Sequence, residues 1–310
     1  MKPATMRYFD AIHAQLEAID VWNSEIGDQM AVHITDMMLK IMESTPSPAD
    51  IKNAEIHLLE RADPYFLDGE IQEWIMDSVS SFPRDIAIGD VLPPSDRGWI
   101  LFERPIMGTA EQDYGFPAGW EALAWSTTHN IYSDMSGEDL PVVALGYYHR
   151  TADNHLVLGS NQVWPLREGL REWEDAHPLD MEQRDEGEHR FMMMQHRFVI
   201  GLFAFMNQPF SAIQPRHLPR AQRRWLQREI GTEDPQVKVI TLRRAQHTNG
   251  QSEGGSREWS SRWIVKGHWR SQYYPSKQKN SPLWIMPYMK GPQDKPLKGG
   301  NAITLFHVTR

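Results

Sequence analysis

The sequence predicts an α+β fold: a helical N-terminal region, then a mixed β-sheet packed on a central buried helix. Three observations carry the prediction. Apolar residues recur at helical spacing through the first eighty residues, short β-type runs begin at Val91, and the segment 191–206 is apolar almost all round.

In chain order, Met30, Ile34, Met37, Met38, Ile41 and Met42 form one apolar stripe at spacings of three and four. Thr45-Pro46-Ser47-Pro48 stops that helix, because a residue before proline is pushed out of the helical region. Ala49–Ala62 and Phe66–Val79 read as two shorter helices, the second and its approach decorated by Asp63, Asp68, Glu70, Glu73 and Asp77. After the turn Pro93-Pro94-Ser95-Asp96, the runs 98–103, 121–127 and 141–149 read as strands, and 154–159 completes a hairpin. Residues 165–190 are acidic and read as a helix plus a solvated connection. FMMMQHRFVIGLFAFM, 191–206, is too short to span a membrane and has the composition of a helix at the centre of a domain. Gln214–Gly231 reads as a basic helix, 237–242 as a strand, and 245–256 as a Gly- and Ser-rich loop. The tail adds strands at 259–270, 283–289 and 303–308. The expected division is a helical acidic region, 1–90, and an α+β domain, 91–310, whose part 201–310 is basic and aromatic-rich.

Charge is distributed unevenly. Residues 1–200 carry 14 Lys and Arg against 35 Asp and Glu, whereas 201–310 carry 18 against 6, so a net of −9 hides −21 and +12. Such a split points either to an anionic partner for the basic part or to neutralisation within the fold or between copies. The chain has no cysteine, which removes disulfides, thiolate metal sites and a thiol nucleophile. No run approaches the roughly 18 apolar residues of a spanning helix, and the N-terminus has acids where a signal peptide is apolar. The expectation is a cytoplasmic protein without a membrane-spanning segment.

The common nucleotide, zincin and hydrolase signatures are missing. His149, Asp153 and His155, and Glu186, Glu188 and His189, are close in sequence without imposing a coordination geometry, so no metal and no cofactor is assigned. Six Arg–His pairs have the four-to-six-residue spacing of a helical ribonuclease motif. Arg184 with His189 comes nearest its form, but a few such pairs arise by chance in a chain this rich in both residues, and Gly187 weakens a helix there.

The stretch 257–290 differs in quality: seven aromatics and seven Lys or Arg in 34 residues. Aromatic faces stack on unpaired bases and interleaved cations follow phosphates. Strand alternation would put Arg262, Ile264, Lys266, His268 and Arg270 on one face, and Trp263, Val265 and Trp269 on the other, buried one. The candidate nucleic-acid contacts are Arg262, Lys266, His268, Arg270, Gln272, Tyr273, Tyr274, Lys277 and Lys290. His268 is the side chain there able to donate or accept a proton, although whether the chain is an enzyme stays open.

The segment GHWRSQYYPSKQKNSPLWIMPYMKGPQDKPL, residues 267–297, resembles the C-terminal signature of a family found in actinobacteria and their phages, GHWR-x-Q, YPS, WI-x-PY-x-KGP. Weaker similarity runs through 99–106, 121–126, 191–206 and 219–225. The resemblance implies a phage or mobile-element context and no particular chemistry. The expected function is a toxin-like or defence-related effector that binds RNA or DNA through the basic C-terminal region, with an antitoxin or other protein as a possible partner. The alternative is a non-catalytic interaction protein, forming oligomers through its acidic and basic surfaces.

Overall fold

The computed structural model describes residues 4–39, 45–84, 86, 88–106, 119–127, 142–166, 186–208, 211–230, 236–242, 263–265, 267–285 and 288–292. Three helices open the chain: α1 (Ala4–Trp22), α2 (Glu25–Leu39) and α3 (Pro48–Arg61). The Ser-Pro pair predicted to stop a helix also starts the next one. Ser47 is the N-cap of α3, its side chain accepting from the Asp50 N–H, while Asp50 accepts from the Ser47 N–H and Pro48 fills the first turn.

A strand follows at once, β1 (Asp63–Leu67), then α4 (Gly69–Ser78) capped by Asp68. Four further strands, β2 (Arg97–Ile106), β3 (Trp120–Ser126), β4 (Val142–Arg150) and β5 (Leu156–Pro165), run as an antiparallel series. Next come α5 (Glu186–Met206), β6 (Ser211–His217), α6 (Arg220–Ile230) and β7 (Gln236–Leu242). The seven strands form one mixed sheet in the order β5-β4-β3-β2-β1-β7-β6, with β1 parallel to both β2 and β7.

Both faces of the sheet are covered, which explains why its strands read as nearly unbroken apolar runs. On one face Ile100, Phe102, Leu123, Trp125, Leu145 and Tyr147 meet α4 and the buried run Phe198–Met206 of α5. On the other, Trp99, Ala122, Ala124, Tyr148 and Leu158 meet α1, α2 and α3. Phe66 and Val237 on that second face carry α6 through Leu226 and Leu218. At the contact between the first two layers, Arg150 of β4 binds Glu17 of α1 at 2.7 Å and Glu121 of β3 at 3.0 Å. No described helix is long and apolar enough to cross a membrane.

The α+β class is as expected, and so is a helix over 191–206, buried from Phe198 to Met206, with α5 beginning a turn and a half earlier. Three assignments change. Asp63–Leu67 is a strand where a helical region was expected. Pro215 sits in an edge strand, β6, the kind of strand in which sheets tolerate proline, and not at the start of a helix. The described part of the strand expected over 259–270 does not join the main sheet. It comprises β8 (Trp263–Val265), paired with β11 (Tyr288–Lys290), and β9 (His268–Tyr274), paired with β10 (Lys279–Ile285). Residues 245–256 and 303–308 lie outside the described residues.

Candidate nucleic-acid interface

β9 and β10 make a two-stranded ribbon closed by the turn Pro275–Gln278. Lys277 N–H donates to the Tyr274 carbonyl at 3.0 Å, and Gln278 takes the left-handed backbone, φ 51°, that returns the chain. The ribbon is anchored at its root by two indoles that face each other across the ladder, Trp269 and Trp284, both buried with ring centroids 5.3 Å apart. Phe82 meets Trp269 edge-on at 5.2 Å, and Phe205 of α5 meets Trp284 at 6.1 Å. Trp269 Nε1 donates to Ser78 Oγ at 3.0 Å. Gln208, just past α5, accepts from the Trp284 N–H at 3.0 Å and donates to the Pro282 carbonyl at 3.1 Å. The ribbon is therefore fixed to the α5 layer, on the same hydrophobic core.

With both indoles turned inward, the pairing sets the outward face: Arg270 opposite Leu283, Gln272 opposite Ser281, Tyr274 opposite Lys279. None of these six is buried, and Arg270 is exposed. Trp269 and Arg270 therefore take the inner and outer positions expected of them. Beyond the root the inward-facing pair Tyr273 and Asn280 overhangs the core, so Tyr273 is 53% exposed. Lys277 is exposed and lies over the Tyr274 ring, 5.8 Å from its centroid. Lys279 is paired with Asp90. Gln272 Nε2 donates to the Tyr273 carbonyl at 2.9 Å, an exposed bond that solvent or a ligand can replace.

Of the other sequence candidates, His268 is partly exposed at the ribbon root opposite Ile285, and Lys290 is exposed at the end of β11. Arg262 and Lys266 lie outside the described residues. The ribbon thus unites Arg270, Gln272, Tyr274 and Lys277, and sets Tyr273 on the reverse side. β8 and β9 pair with different partners, so Ile264 on the one and His268 and Arg270 on the other do not belong to a single ladder.

The basic C-terminal third is also divided. Helix α6, with Arg220, Arg223, Arg224 and Arg228, packs Trp225 and Leu226 toward α1, on the opposite face of the sheet from the ribbon. Part of the charge split is neutralised inside the fold, by Lys238 on Asp63 at 2.5 Å and Lys279 on Asp90. Sequence reasoning missed Asp90 as a partner because 189 residues separate it from Lys279. Among the described residues, no group of three or more metal-ligating side chains converges. His149 instead packs its ring against Gly159, and burial lowers its pKa.

No family model matches the chain, and no curated protein matches it. Among solved structures, the crystal structure of AcrVA2 is similar over 74% of this chain and 72% of that one, at 14% identity and a TM-score of 0.42, a level of likeness that carries no functional inference.

Proposed function

We propose that the chain is a nucleic-acid-binding effector of a phage or mobile element, which engages phosphates through the β9–β10 ribbon. The observation that supports this reading is the ribbon itself: an acid-free segment whose indoles are spent on anchorage and whose outward side carries Arg270, Gln272 and Lys277. Cations held on a rigid support, rather than scattered on mobile loops, lose little freedom when they meet a phosphate. The phage context comes from the resemblance of residues 267–297 to the GHWR signature. The test is whether nucleic acid co-purifies with the protein and leaves at high salt, followed by binding titrations at several salt concentrations. A steep fall of affinity with salt is expected.

A second reading has its own support. Helix α2 exposes Val32 and Leu39 on one face, together with the acids Asp28 and Asp36. Such a face suits a protein partner or another copy of the chain. Under that reading the protein forms salt-sensitive oligomers and shows no affinity for nucleic acid, which sedimentation at low and high salt would reveal.

A further inference from the structure

The composition of 257–290 suggested stacking on unpaired bases, yet among the described rings burial removes two of the platforms and the ribbon fold sets the others apart from the cations. Trp269 and Trp284 are in the core, the Tyr274 ring is covered on one side by Lys277, and Tyr273 faces away from Arg270. Single-strand binding without sequence preference needs a series of open rings beside the cations. The outward side offers instead Arg270 and Lys277, separated by amide and hydroxyl groups, with a third cation, Lys279, held by Asp90. Arg270 and Tyr274, on which Lys277 rests, are four strand residues apart, about 14 Å at the usual rise. The major groove of B-form DNA is about 12 Å wide and admits a two-stranded ribbon, whereas A-form RNA has a deep, narrow major groove closed to side chains.

From this geometry we infer that the ribbon is a reader of duplex DNA, laid with its outward face across the major groove. The inference rests on the nucleic-acid reading above and narrows it. Arg270 and Lys277 meet phosphates on opposite walls. Gln272 and Ser281, cross-strand partners between them, face the base edges, where a glutamine amide can pair with adenine N6 and N7 once its bond to the Tyr273 carbonyl is exchanged. Lys279 stays with Asp90, so that pair adds no net charge to the groove.

The test uses the full chain and four labelled probes of equal length and mixed sequence: duplex DNA, single-stranded DNA, duplex RNA and single-stranded RNA. Duplex DNA is expected to bind most tightly, and methyl green in the major groove, not netropsin in the minor groove, should compete. Each phosphate contact contributes about 0.9 to the salt slope, so R270A/K277A should lower duplex affinity roughly sixty-fold at 0.1 M salt and reduce the slope by about 1.8. R270K/K277R, which keeps both charges, should retain most of the binding, and unchanged melting would show that both variants are folded. Tighter binding of any other probe, weakened in the same way by R270A/K277A, overturns the duplex inference and leaves the nucleic-acid reading standing. Competition by netropsin overturns the groove assignment. Failure to bind any of the four probes, or duplex binding that R270A/K277A leaves unchanged, overturns both.

Discussion

Replacing Glu55 with Gln should stabilise the protein at alkaline pH and do little at acidic pH. Glu55 lies on α3 and is buried against the sheet. One hydroxyl reaches it: Tyr148 donates to Oε2 at 3.4 Å while accepting from Trp22 Nε1 at 3.2 Å. A buried carboxylate with one long hydrogen bond is poorly solvated, and this burial raises its pKa from 4.5 to about 7 despite the Tyr148 contact. The folded chain thus holds the proton more tightly than the unfolded one. Stability is fully present below the unfolded value, near pH 4.5, falls as pH rises, and levels off above pH 7. At about 1.4 kcal/mol per unit, the loss approaches ~3 kcal/mol by pH 8. Glutamine keeps an acceptor for Tyr148 and never ionises. Urea midpoints of both proteins should therefore coincide near pH 4.5 and separate with pH, the variant becoming the more stable by ~3 kcal/mol. Taking the difference between them cancels His149, whose lowered pKa acts in the opposite direction as pH falls. A difference independent of pH, or a wild type more stable at pH 8, would refute the argument.

Trp269→Ala should cost about 3–5 kcal/mol in a melting experiment, because it empties the site between Phe82 and Trp284 and removes the donor to Ser78 Oγ, which keeps only its bond to the Ile75 carbonyl. Arg270→Ala should stay within about 0.5 kcal/mol of wild type, since the side chain is exposed; the reverse order would mean the strand faces are assigned backwards. Asp90→Asn frees Lys279 and should raise duplex DNA affinity roughly eightfold at 0.1 M salt, a gain that charge-independent docking would not show. Gly98→Ala should destabilise by ~2 kcal/mol or more, because a Cβ there would lie 2.0 Å from the buried Trp125 ring on the paired strand; a melting curve matching wild type would show that the ring can move aside.

Helix α5 and strands β2–β4 were legible because their signals are local: a run apolar almost all round and short, turn-bounded β-type runs. β1 was not. It has five residues, carries Pro64, and runs directly between two helices, so its neighbours' periodicity swamps it. What makes it a strand is tertiary, the parallel ladder to β2 and the pairing of Tyr65 and Phe66 with β7. The site divides in the same way. That Trp269 faces inward and Arg270 outward follows from alternation. Which aromatics remain open for stacking depends on where Phe82, Phe205 and Gln208 lie, and no pattern within 257–290 contains that. Asp90, which neutralises Lys279, comes from a distant turn for the same reason.

The position of β1 sets a timetable for synthesis. Strands β1 to β5 end at Pro165 and can pair as soon as they emerge, but the second neighbour of β1 begins only at Gln236 and the helix that covers one sheet face only at Glu186. At about 5–20 residues per second, the ribosome leaves the β1 edge unpaired for roughly ten to thirty seconds. During that interval the nascent chain presents an open edge and, until α5 is complete at Met206, the side chains of Ile100, Phe102, Leu123 and Leu145 without their cover. Such an intermediate is a template for pairing with other nascent chains. Yield of the intact protein should therefore depend on chaperone supply during translation more than on the stability of the finished fold, and chains ending before Gln236 should accumulate as aggregates.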